Sequence, residues 1–114
     1  MLNKIEKFIE CARRTGVLVD DEVKSYLLKY HELIPAVKKA IRTAKEKLSA
    51  SQLLLRVYHD FEIDEEALHL IVRFERYDEI VLRKIRDVRK DYWDLLPDDS
   101  GMFILMTDYR TPSK

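Results

Sequence analysis

Residues 53–74 read LLLRVYHDFEIDEEALHLIVRF, and this stretch decides the fold. Leu53–His59 and Ala67–Phe74 are rich in Leu, Val, Ile, Tyr and Phe over strand length, the composition that suits a pleated surface. Between them Asp60-Phe61-Glu62-Ile63-Asp64-Glu65-Glu66 is an acidic turn, so the stretch predicts a hairpin with a long loop. Leu53, Leu55 and Val57 alternate with Leu54, Arg56 and Tyr58. In the second strand His69, Ile71 and Arg73 alternate with Leu68, Leu70, Val72 and Phe74. Both faces are largely apolar, unlike a sheet with one solvated face.

Working outward, the first half of the chain has helical spacing. Leu2, Ile5, Phe8, Ile9 and Ala12 recur at three and four and stop at Gly16. Gly16-Val17-Leu18-Val19 is a short apolar stretch before Asp20 and Asp21, either of which can cap a second helix. That helix carries Val23, Tyr26, Leu27 and Tyr30 and should fail near Ile34, because the residue before a proline disfavours the helical region. Pro35 suits the first turn of a third helix with the stripe Val37, Ile41, Ala44 and Leu48. Beyond the hairpin, Asp78–Leu96 returns to helical spacing through Val81, Ile85, Val88, Tyr92 and Leu95. Pro97–Gly101 is a turn, Met102–Thr107 a last strand and 111–114 a loose tail. The prediction is one α+β domain over 1–114: three N-terminal helices in 1–50, then a ββαβ unit in 51–110 with a small three-stranded mixed sheet. A right-handed crossover sets the last strand parallel to the second strand of the hairpin, with the first strand between them.

Composition removes several classes of function. The two glycines, Gly16 and Gly101, are far apart, which excludes a phosphate-cradling loop and a dinucleotide-binding turn. A single cysteine, Cys11, excludes an internal disulfide and a cysteine-based zinc or iron–sulfur site. No apolar run approaches the roughly 20 residues that span a bilayer, and no signal-peptide pattern opens the chain, so a cytoplasmic protein without a membrane partner is expected. Asparagine and glutamine occur once each among abundant charge, the pattern of a thermophile protein. Lys plus Arg and Asp plus Glu each number 21, yet residues 1–50 carry a net charge of +4 and residues 51–114 a net charge of −4. Zero net charge suits a general nucleic-acid binder poorly, because counterion release needs a concentrated positive face.

No constellation stands out as catalytic. The acidic turn with His59 offers cation ligands, but lacks the glycine and terminal glutamate of a calcium loop. A hairpin that paired residue 59 with 67 would set His59 and His69 on one face about 7 Å apart, still short of a third ligand. Cys11 and His31 form the one thiol–imidazole combination, and mid-helix placement beside the stripe marks Cys11 as a small buried hydrophobe. The reading therefore assigns no catalytic residue, metal or cofactor.

Two surfaces carry the functional expectations. Arg86, Arg89 and Trp93 share one face of the long helix, and with Met102, Ile104 and Met106 they form the expected partner surface. Lys38, Arg42 and Lys45 on the third helix, with Arg83, Arg86 and Arg89, are the alternative nucleic-acid contact. Asp87, Asp91 and Asp94 lie at pairing distance from those arginines and favour a solvated helix. Met102–Met106 is an unbroken apolar edge, and one helix covers one sheet face; the N-terminal helices or a second copy must cover the other. A homodimer through the C-terminal strand or the exposed sheet face follows.

The order Ile34-Pro35, Tyr58-His59-Asp60, Leu68–Arg73, Tyr92-Trp93 and Thr107-Asp108 resembles, over residues 34–110, a family of small uncharacterised prokaryotic proteins. The resemblance implies a fold outline and no functional residue. The function expected is a non-catalytic protein-interaction or regulatory module of an antitoxin-like kind; a nucleic-acid-binding module is the alternative, and an enzyme comes third.

Overall fold

The computed structural model describes residues 2–62, 64–98 and 101–112. Ile63 of the acidic turn, Asp99 and Ser100 of the Pro97–Gly101 turn, and two residues of the expected tail lie outside that set. The elements run α1 (Leu2–Arg14), β1 (Leu18–Val19), α2 (Glu22–Lys29), a 3-10 turn (His31–Leu33), α3 (Ile34–Lys47), β2 (Gln52–Asp60), β3 (Glu65–Arg73), α4 (Glu79–Trp93) and β4 (Phe103–Met106). The fold is α+β, as the sequence predicts. The arrangement differs: the sheet has four strands in the order β1-β2-β3-β4.

Two expectations about the sheet are corrected. Leu18–Val19, read as a connecting stretch, is a fourth strand parallel to β2, and its ladder continues where Asp20 N–H donates to Leu55 O at 3.0 Å. Two residues are too few for alternation to show in a sequence. The last strand lies beside β3 and parallel to it, as a crossover requires, but β2 is not between them. With β1 already on one edge of β2, the open edge of β3 receives β4.

Local chemistry explains the helix ends. Asp78 caps α4 by accepting the Val81 N–H at 2.9 Å. Pro35 stands in the first turn of α3, where its missing N–H costs nothing. The second helix ends at Lys29, before the expected position, and a 3-10 turn carries the chain to Ile34.

The helical stripes bury against one face of the sheet. Ile5, Phe8, Ile9 and Ala12 of α1, Val23 and Leu27 of α2, Val37 and Ala44 of α3, and Ile85, Val88 and Tyr92 of α4 join Leu53, Leu55, Leu68, Leu70, Phe103 and Leu105 in a single core. Of the two covers expected for the second face, the N-terminal helices do not supply it: all four helices share the first face, and the buried Ala67 and Ile71 of the other face stand outside that core. Among the described residues the domain is therefore two layers, helices over a sheet, with no helix on the far face. No described helix is long and apolar enough to cross a membrane.

The edge of β4 is blunted from within. Leu105 N–H donates to the Tyr92 hydroxyl at 3.0 Å, and Arg89 Nε donates to Leu105 O at 2.7 Å. Both edge groups of Leu105 are thus occupied by α4, which answers the hazard of an unpaired strand without a second copy. Burial pushes the Tyr92 phenol above its ordinary pKa, so it stays a neutral hydrogen-bonding group. Tyr92 is 1% exposed, so Tyr92→Phe keeps the ring and orphans a buried N–H. Urea unfolding should show a loss of about 1.5 kcal/mol, and an unchanged midpoint would refute the capping role.

Candidate functional site

The far face of the sheet is built by register. Leu18 stands opposite Leu54, Leu54 opposite Ile71, and Ile71 opposite Met106, so one apolar row crosses all four strands. The next row is Arg56, His69 and Ile104, followed by Tyr58 opposite Ala67. Tyr58 lies flat against the His69 ring with centroids 5.1 Å apart. Burial, aided by Arg56, holds the His69 pKa below its ordinary value, so this row carries one cation rather than two at neutral pH. At the other end Arg73 pairs with Asp108 through Nη2 and Oδ2 at 2.8 Å. Leu18 is 47% exposed and Met102 55%; Leu54, Ile104 and Met106 are half-buried, and Ile71 at the centre of the row is buried.

A second concavity, of about 870 Å³, runs between α1 and α3. Phe8, Ala12, Ile34, Pro35 and Ile41 form its apolar floor; Lys4, Lys7, Lys38, Arg42 and Lys45 line it as cations, with no carboxylate among the lining residues. Lys45 Nζ donates to Thr15 O and ties α3 to the end of α1. Cys11 and His31 both line this groove, and Cys11 is exposed rather than the buried hydrophobe expected.

The structure divides both expected surfaces. Arg86, Arg89 and Trp93 line a shallow depression on α4 with Lys90 and Asp94, whereas Ile104 and Met106 belong to the open sheet face. Trp93 is 65% exposed, and the Arg89 guanidinium is turned to the strand edge. Of the alternative set, Lys38, Arg42 and Lys45 face the groove, Arg86 and Arg89 the α4 depression, and Arg83 lines neither. They do not make one basic surface.

The two strand histidines are separated by register. Residue 59 pairs with Glu66, not with 67, and this one-residue difference puts His59 and His69 on opposite faces. His59 instead meets Glu22 at the start of α2: Nε2 lies 2.5 Å from Glu22 Oε2 and Nδ1 lies 3.3 Å from Glu66 Oε2. One ligand atom from each of these three residues falls within a 4.8 Å cluster. Each ring nitrogen already faces its own carboxylate, so the three side chains tie α2 to the hairpin; a single cation would take only one of those nitrogens. Glu62, Asp64 and Glu65 stay exposed beside it.

Sequence reasoning missed Glu22, because 37 residues separate it from His59. It also missed Leu18 and the Arg73–Asp108 pair. For Lys4 and Lys7 a signal existed in the positive charge of the first half of the chain. No family model, no curated protein and no solved structure matches the chain.

Proposed function

We propose that this chain is a non-catalytic interaction module that works as a homodimer, two copies meeting through the open faces of their sheets. The observation that carries the reading is the Leu18-Leu54-Ile71-Met106 row on a face without a helix. Three strand spacings make that row about 14 Å long, and the seven residues from Gln52 to Tyr58 extend the face about 20 Å along β2. Along it Leu18, Leu54 and Met106 keep apolar atoms accessible around the buried Ile71, and such an apolar row with no helix over it marks an interaction site. A second copy is the occupant favoured because the same apolar row on two copies can meet across a two-fold axis, and two-fold pairs are the commonest assembly. Neutral His69 in the middle of the face lowers the cost of burying it. The strand edge, the other route to a dimer, is already capped by Tyr92 and Arg89. The nucleic-acid alternative has less support, since its basic residues fall on separate surfaces.

Light scattering at micromolar concentration tests the dimer. The expected mass is twice the chain's 13.6 kDa. Leu18→Asp and Leu54→Asp should each halve that mass while leaving the far-ultraviolet dichroism unchanged. A wild-type mass near one chain overturns the proposal, as does a dimer that survives both substitutions.

A further inference from the structure

We infer that the groove between α1 and α3 is a docking site for an acidic amphipathic helix of a partner protein. The inference does not depend on the sheet-face dimer, because the groove lies in the helical layer and the dimer face lies on the other side of the sheet.

Three properties of the groove select this occupant. The first is charge: Lys4 and Lys7 on α1 and Lys38, Arg42 and Lys45 on α3 line it with no carboxylate among them, although the chain as a whole is neutral. Such a one-sign lining attracts an anionic partner and rejects a cationic one. The second is its floor, where Phe8, Ile34, Pro35 and Ile41 present apolar surface that phosphates and sugars would leave without complement. A partner must therefore bring apolar side chains along one line and carboxylates on either side of it. The third is the shape of the walls. Both are helices, with no free strand edge to pair an extended peptide, and α1 is 13 residues or about 20 Å long. A third helix of three to four turns fits along such a trough, its residues at i, i+3, i+4 and i+7 on the floor and its Asp and Glu against the lysines.

Lys38 and Arg42 are exposed, so reversing their charge alters the groove without disturbing the core. The test uses the full chain and a displayed library of 16-residue helices. Leu or Ile is fixed at i, i+3, i+4 and i+7, and the flanking positions vary among Asp, Glu, Lys, Arg, Ser and Gln. Enriched peptides should carry a net negative charge. Their affinity, read by fluorescence anisotropy, should fall at least tenfold for Lys38→Glu/Arg42→Glu and severalfold between low and high salt, with the dichroism spectrum of the variant unchanged. The same peptides should bind Leu54→Asp as they bind the wild type, which separates this site from the sheet face. No enrichment, enrichment without a charge preference, or equal binding to the charge-reversed variant overturns the inference. So does displacement of the peptide by single- or double-stranded oligonucleotide, or by anionic vesicles, at lower concentration than the peptide itself needs, because either would name a different occupant.

Discussion

Asp108→Asn should lower the unfolding free energy by about 2 kcal/mol at neutral pH, and the deficit should close in acid. Arg73 ends β3 and is 6% exposed; its Nε lies 3.2 Å from both carboxylate oxygens of Asp108, and its Nη2 lies 2.8 Å from Oδ2. This two-pronged geometry is the strong form of an arginine–carboxylate pair, and Asn keeps the shape while removing the charge. Asp108 Oδ1 also accepts the Arg110 N–H at 3.1 Å, so the pair anchors the chain beyond β4 to the end of β3. The Arg73 guanidinium holds the Asp108 carboxyl below its ordinary pKa, with the Arg110 backbone adding to the effect. A carboxyl that is more acidic in the folded state binds fewer protons there than in the unfolded chain. Its contribution is therefore complete above the unfolded value of about 3.9 and disappears as the pH falls through the lower folded value. Urea unfolding of both proteins at pH 7 and again near pH 2 measures this. A deficit of the same size at both pH values would show that the charge is not what holds the pair.

The helices and the hairpin were legible because their period is local. Ile5, Phe8, Ile9 and Ala12 declare a stripe at any point where a core exists, and Leu53, Leu55 and Val57 declare a strand face. Which partner a stripe meets is not local. Nothing in residues 2–47 states that α1, α2 and α3 join α4 on a single side of the sheet, and so the bare second face could not be read in advance. Strand order has the same character: β4 parallel to β3 follows from the crossover, but the two sides of the hairpin differ only through β1, two residues long. The histidines show how sharply register matters, since one residue at the turn decides whether His59 faces His69 or Glu22. Of the candidate site residues, Lys38, Arg42 and Lys45 do share a surface, and its other wall is the positive N-terminal helix. Arg89 was legible as a cation on a helix face; that its Nε would reach the Leu105 carbonyl was not, because the edge it caps is made by a strand 16 residues away.

Gly101→Ala should cost about 3 kcal/mol, against about 1 kcal/mol for Gly16→Ala. Both glycines have positive φ, +78° at Gly101 and +98° at Gly16, so each substitution carries the backbone penalty of a left-handed L-residue. They differ in what a methyl group would meet. At Gly16 nothing lies within 4 Å of the added carbon. At Gly101 the added carbon would sit 2.7 Å from Tyr30 Cγ and 3.1 Å from Leu33 Cδ1. Tyr30 has little room to retreat, because its ring leans on Tyr26 with centroids 4.8 Å apart. Tyr26 in turn is held by its hydroxyl, which accepts the Met102 N–H at 3.0 Å and lies 3.3 Å from the carbonyl oxygens of Met102 and Glu66. A methyl group at residue 101 therefore pushes on the contact that seats the start of β4 against α2. The relief open to the chain is to lift β4, which weakens its pairing with β3 and the Leu105 contacts of Tyr92 and Arg89. Thermal unfolding of the two variants side by side separates backbone strain from collision. Equal losses at both positions would mean that Tyr30 yields freely and that the turn, not the ring beneath it, is what requires a glycine there.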